Sequence, residues 1–140
     1  HITGFKRVID PKHLCLIGVR SYEPKEHQLL KQLGVTIFYM DDVKKHGLSV
    51  IFKQALAIAN ANNTPFGISI DVDAMDPECA PGTGTLAKNG IKKEHLLPTL
   101  AHIGHHKDLC GLEIAEFNPT LDQNHRTAHL INDLVQSIFL

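Results

Sequence analysis

The chain has 140 residues, 43% hydrophobic and 21% charged, with a formal net charge of -1. This is the composition of a globular domain with enough apolar material for a core. Near-neutral charge argues against a nucleic-acid or membrane-surface partner, and no apolar run approaches the roughly 20 residues that cross a bilayer.

In chain order, residues 13–19 (His-Leu-Cys-Leu-Ile-Gly-Val) read as a buried strand. Residues 24–33 read as a helix that Pro24 opens, Leu29, Leu30 and Leu33 support at helical spacing, and Gly34 closes. Residues 35–39 are β-branched and aromatic and predict a second strand. Residues 48–60 carry Ile51, Phe52, Ala55, Leu56 and Ala59 on one stripe and predict a helix. A turn at 62–65 precedes a third strand at 66–70, and the Pro-, Gly- and Asp-rich residues 72–90 predict a long loop. A helix over 92–103 must accommodate Pro98, by a late start or a kink. A fourth strand over 109–115 and a last helix over 124–140, with Leu130, Ile131, Leu134, Val135 and Ile138 inward, complete the chain. Strands alternating with helices predict βαβ units, a parallel sheet covered on both faces, and ligands at the carboxyl ends of its strands.

No repeat or linker divides the chain, so one domain is expected. Its three cysteines, Cys15, Cys79 and Cys110, have no redox-motif or zinc-site spacing. Cys15 and Cys110 sit in apolar runs and are expected to be buried thiols, in keeping with a reducing cytosol. No segment reads as a signal peptide. The first residue is His1, not Met, so a boundary upstream is expected, with His1 itself disordered. His102, His105 and His106 cluster at a helix end, where the dipole explains them better than a metal does. His125 and His129 read as a solvated face.

The chemistry concentrates where the third apolar run stops, at Ser69-Ile70-Asp71-Val72-Asp73-Ala74-Met75-Asp76-Pro77. Residues at i and i+2 of a strand point to one side, so Asp71 and Asp73 are expected to project together. Two carboxylates this close raise a pKa unless a cation intervenes, and a hard divalent metal suits them. A bare Asp-x-Asp also caps turns, so the context matters. Pro81-Gly82-Thr83-Gly84-Thr85 follows, with glycines that let backbone approach a ligand, and Glu116-Phe117-Asn118-Pro119 puts an acid and an amide at the end of the fourth strand, with Glu113 mid-strand.

Together these segments resemble the signature of the arginase-family ureohydrolases: arginases, agmatinases and formimidoylglutamases. Ile17-Gly18-Val19-Arg20, Glu23-Pro24 and Leu33-Gly34-Val35 resemble the stretch that precedes it, so the resemblance covers nearly the whole chain. It implies an α/β fold, a three-layer α/β/α domain around a parallel sheet, of which residues 1–140 form the C-terminal portion. It implies two manganese ions, with Asp71 and Asp73 as metal ligands and Asp71 bridging. Asp73 and Glu116 would be catalytic, and Thr85, Glu116 and Glu23 would bind substrate, with Glu23 toward the α-amino end. Asp76 and Asn118 would hold loops.

The implied activity is hydrolysis of a guanidino C–N bond, arginine first, with agmatine or a formimino substrate as alternatives. A homo-oligomer in the cytoplasm is expected. The family's Gly-Gly-Asp-His and Asp-Ala-His-x-Asp ligand segments do not occur here, so the chain alone is expected to be inactive and to leave a sheet edge exposed. A non-catalytic oligomerisation or regulatory half-domain is the other reading. Leu86 stands where the family usually has proline.

Overall fold

The structure, a computed structural model, describes residues 9–140. The expectation for His1 lies outside them. Strand β1 (Cys15–Val19) leads into helix α1 (Pro24–Leu33) and strand β2 (Thr36–Tyr39). Helices α2 (Met40–His46) and α3 (Leu48–Ala59) precede β3 (Phe66–Asp71). Helix α4 (Lys93–Gly104), β4 (Leu109–Ala115) and α5 (Arg126–Phe139) complete the order.

Each βαβ unit closes a parallel ladder, β1 with β2 and β3 with β4. Among the described residues the two ladders remain separate two-stranded sheets, not the single sheet that the alternation predicts.

Local chemistry explains most boundaries. Gly34 caps α1 with φ 80, the left-handed conformation that a Cβ disfavours, and its N–H reaches Leu30 and Lys31 carbonyls. Helix α2, unassigned from the sequence, is short. It begins with Asp41 and Asp42, ends with Lys44, Lys45 and His46, and is capped by Asp42 accepting from the Tyr39 N–H at 2.9 Å. That charge order matches the helix dipole. Helix α4 takes Pro98 in its interior and runs on to Gly104.

The core lies between the sheets and helices α2 to α5. Ile51, Met75, Leu100, Leu130 and Leu134 are among its buried residues, with Ile68, Leu112 and Ile114 packed against it from β3 and β4. On α5, Leu130, Leu134 and Ile138 are buried, whereas Val135 turns to solvent. Helix α1 buries no residue, and Leu29 and Leu33 are 54% and 46% exposed.

The opposite face of the β3–β4 ladder is open. Gly67, Ser69, Gly111 and Glu113 lie exposed there, with Ser69 Oγ donating to Glu113 Oε2 at 2.5 Å. Cys110 is exposed as well, which corrects the expectation of a buried thiol, and Cys15 is half-buried. The apolar run predicts a strand covered on both sides, but no described element covers this side of β4 at Cys110.

Asp122 holds the start of α5, accepting from Thr127 N–H at 2.9 Å and Ala128 N–H at 3.0 Å. Burial acts to raise its pKa, and the hydrogen bonds from Thr127 and Ala128 outweigh it, so the pKa falls below the usual value. A depressed pKa means that this stability is present above the unfolded value of about 3.9 and is lost as pH falls through the folded one. We expect Asp122→Ala to lower unfolding free energy by about 1 kcal/mol at neutral pH, read by urea denaturation, with a smaller difference in acid.

Candidate active site

The site forms where β1, β3 and β4 end. β3 stops at Asp71, whose Oδ1 accepts from the Asp73 N–H at 3.0 Å and caps a single 3-10 turn, Val72–Ala74. Val72, 0% exposed, anchors that turn in the core. The two aspartates therefore share one cavity, but strand alternation does not bring them together, because Asp73 lies beyond the strand. A side-chain-capped turn does so instead.

Arg20, just after β1, fixes this turn from the other side. Its Nη2 donates to the carbonyl oxygens of Asp73 at 2.5 Å, Ala87 at 2.8 Å and Met75 at 3.3 Å. Nη1 reaches the Ala74 oxygen at 3.3 Å and Nε a second bond to Ala87 at 3.3 Å. A planar fork with several donors suits converging carbonyls, which an ammonium could not match.

The long loop is tied down at several points. Asp76 accepts from Glu78 N–H at 3.1 Å and Gly90 N–H at 3.2 Å. Gly82 N–H donates to Thr127 Oγ1 at 2.7 Å, and Thr127 is 0% exposed. Asn118 N–H donates to the Gly82 oxygen at 2.8 Å, while its side chain accepts from Thr120 N–H at 3.0 Å. Asp76 and Asn118 thus hold loops, in the manner that the resemblance implies.

Thr85 lines the cavity with Asp71 and Asp73. Glu116 stands outside that wall, at the tip of β4, in the left-handed region with φ 62. Its charge nevertheless reaches Asp73. Glu23 is exposed at the start of α1 and does not line this cavity. Tyr22 beside it stacks on His27 at a centroid distance of 4.8 Å, and His27 hydrogen-bonds the Tyr39 hydroxyl. Arg20 entered the sequence reading only within a motif. The capping role of Asp122 and the part played by Thr127 did not enter the sequence reading.

Burial pushes the Asp73 carboxyl above its usual pKa, the negative charges of Asp71 and Glu116 add to this, and Arg20 opposes it. A raised carboxyl pKa means stability that is fully present below the unfolded value and lost as pH rises through the folded one. Asp73 should titrate above its ordinary value. Removing one charge with Asp71→Asn should bring it down, as followed by side-chain carboxyl NMR.

The donor set is hard oxygen, the kind that a divalent ion such as manganese takes. In number it falls short. Among the described residues no group of three or more His, Cys, Asp or Glu could hold a metal ion, so Asp71 and Asp73 do not complete a two-metal site by themselves. Among the described residues, no helix is long and apolar enough to cross a membrane.

An arginase-family sequence profile matches residues 3–140. The chain is 30% identical to Brevibacillus brevis arginase over 139 residues, 99% of this chain and 47% of that one. It superposes on Bacillus caldovelox arginase with a TM-score of 0.88 at 29% identity, over 94% of this chain and 44% of that one. Formimidoylglutamase from Bacillus subtilis superposes with a TM-score of 0.87 at 26% identity, over 92% of this chain and 41% of that one. The chain spans about half the length of the relatives it matches. With an α/β fold of parallel ladders, a two-aspartate strand tip and a match over nearly its full length, the chain belongs to the arginase family of hydrolases.

Proposed function

We propose that residues 1–140 are the C-terminal portion of a single ureohydrolase domain that hydrolyses a guanidino C–N bond, with arginine giving ornithine and urea as the first substrate. The observation that carries this reading is the pairing of Asp71 and Asp73 on one cavity wall, locked by Arg20 and faced by Thr85, at the carboxyl ends of parallel strands. Asp71 and Asp73 would be the chain's share of the ligands that hold manganese. Manganese when bound would supply water activated at neutral pH, which a guanidinium carbon requires as a poor electrophile.

The chain's own residues do the rest. Glu116 pairs with the planar cation through charge-assisted hydrogen bonds and orients it, with Thr85 beside it. Asp73, ionised as a ligand when manganese is bound, would take up the proton that the attacking water gives up and pass it to the leaving nitrogen. Water oxygen joins the guanidino carbon, the bond to the tail nitrogen breaks, and that nitrogen leaves as the amine with the proton. Glu23 reads the far end of the substrate. The second choice is agmatine or a formimino substrate, the latter supported by the likeness to formimidoylglutamase. We place the protein in the cytoplasm as a homo-oligomer.

The test is product release by manganese-loaded protein carrying this region together with the rest of the family domain. Arginine and agmatine are followed by urea, formiminoglutamate by formamide. Turnover of one substrate, lost in Asp71→Asn and Glu116→Gln, is the expected result. A folded, metal-loaded protein silent on all three would sink the proposal in favour of another guanidino substrate or a non-catalytic half-domain.

A further inference from the structure

A second cavity, of about 550 Å3, opens at the carboxyl ends of β1 and β2. It abuts the first at Val19, Arg20 and Ala87, which line both. Tyr22 and Tyr39 form its aromatic wall, with ring centroids 5.9 Å apart. His27 holds that wall in place, stacked on Tyr22 and hydrogen-bonded to the Tyr39 hydroxyl. Lysines 44 and 88 also line it. Lys44 pairs with Asp41 at 3.8 Å, whereas Lys88 enters no ion pair among the described residues.

Lys88 sits between anchored neighbours. The Ala87 oxygen accepts from Arg20 Nε and Nη2, and Gly90 N–H donates to Asp76 Oδ2 at 3.2 Å. Between them the backbone turns at Asn89, with φ 62. The lysine therefore extends from a fixed backbone, which reduces the ordering cost of binding. Arg20 adds charge but no hydrogen bond to this cavity's contents, since its donors are turned to loop carbonyls. Lys88 follows Thr85 by three residues, a span of at most about 10 Å. By similar bond lengths an extended arginine covers about 7 Å from its guanidino carbon to its carboxylate. A head group at Thr85 thus leaves its tail within reach of the Lys88 ammonium.

We propose that Lys88 determines specificity, its ammonium pairing in this second cavity with a carboxylate at the far end of the substrate tail. The methylenes of the tail cross Ala87 and lie toward the tyrosine wall. Apolar walls exclude water and strengthen the attraction between the two charges. Glu23, next to Tyr22 in sequence, takes the amino group, so the two ends of a zwitterion meet opposite charges. The substrate class is then a guanidino amino acid. Agmatine lacks the group that Lys88 takes. The proposal rests on the hydrolytic reading of the Asp71–Asp73 site.

The test uses manganese-loaded protein carrying this region together with the rest of the family domain, as wild type, Lys88→Ala, Lys88→Arg and Lys44→Ala. Arginine and agmatine share the guanidino head, and urea release gives the ratio of their kcat/KM values. That ratio should favour arginine in wild type and fall by about tenfold or more in Lys88→Ala, through KM more than kcat. Lys88→Arg should keep most of the preference. Lys44→Ala should cost less than Lys88→Ala, because Lys44 is already paired with Asp41. Calorimetric titration with ornithine and putrescine, one diamine with and without a carboxylate, needs no turnover. Lys88→Ala should narrow their affinity difference by a similar factor. The proposal is overturned by a wild-type preference for agmatine, by absence of ornithine binding, or by a preference for the carboxylated ligand that Lys88→Ala leaves unchanged. Silence on both guanidino substrates with ornithine binding that depends on Lys88 would sink the hydrolytic reading and leave the carboxylate site standing. Arginine turnover with an unchanged ratio would do the reverse.

Discussion

Arg20→Ala should lower the unfolding free energy by about 2–4 kcal/mol, the largest loss expected from any single polar side chain here. The guanidinium joins four carbonyl oxygens, of Asp73, Ala74, Met75 and Ala87, that come from separate parts of the site loop. Truncation leaves those oxygens without their donor and frees the turn that carries Asp73. Arg20→Lys keeps the charge but not the fork, and should recover less than half of the loss. Urea denaturation with an unchanged m-value checks both. Equal midpoints for wild type and Arg20→Ala would show that the clamp contributes nothing. On the proposed reading of Asp73 as a manganese ligand, the same variant in protein carrying the rest of the family domain should weaken manganese affinity by roughly tenfold or more, since displaced outer partners of metal ligands carry such penalties.

Gly90→Ala should destabilise the chain by about 3 kcal/mol, at the upper end of ordinary overpacking costs. A methyl group there would lie 2.5 Å from both the carbonyl carbon and oxygen of Met75, and 2.6 Å from the Asp76 nitrogen. These are backbone atoms held in place. Asp76 N–H donates to Ile91 O at 2.9 Å, Ile91 N–H donates to Ala74 O at 3.0 Å, and Met75 and Ile91 form a parallel bridge. Neither strand of chain can yield without breaking these bonds. Gly47→Ala serves as a comparison, since a Cβ there meets nothing within 4 Å and only its backbone with φ 85 is strained. Its loss should be nearer 1 kcal/mol. Thermal and denaturant unfolding of the two variants side by side would decide whether contact or conformation dominates.

The sequence carries most of the element boundaries because the signals are local. Pro24 and Gly34 bracket α1, and the apolar run of β4 matches its observed length. Helix α2 escapes because seven residues are too few to display an apolar stripe, leaving only its charge order. The exposure of Cys110 escapes for another reason. An apolar run reports one strand's preference for burial, and whether a second layer covers it depends on other segments. The separation of the ladders is non-local in the same way.

At the site, the identities of Asp71, Asp73, Thr85 and Glu116 are visible in the sequence as motif positions, and the residues that hold them are less so. Arg20 lies 53 to 67 positions from the carbonyls it joins, and Thr127 lies 45 from Gly82. No periodicity encodes such distances. The nearness of the two aspartates was readable, whereas the capped turn that produces it was not.

The backbone of Glu116, with φ 62, has a consequence for directed evolution. Glycine or asparagine is more at ease in that conformation than glutamate, so relief of strain at the tip of β4 favours replacing the acid. A library sorted only for thermal survival should drift toward glycine at this position. On the proposed role of Glu116 in pairing with substrate, a library of the whole domain sorted for hydrolysis should keep the carboxylate and tolerate the strain, and the two selections would diverge at this single codon.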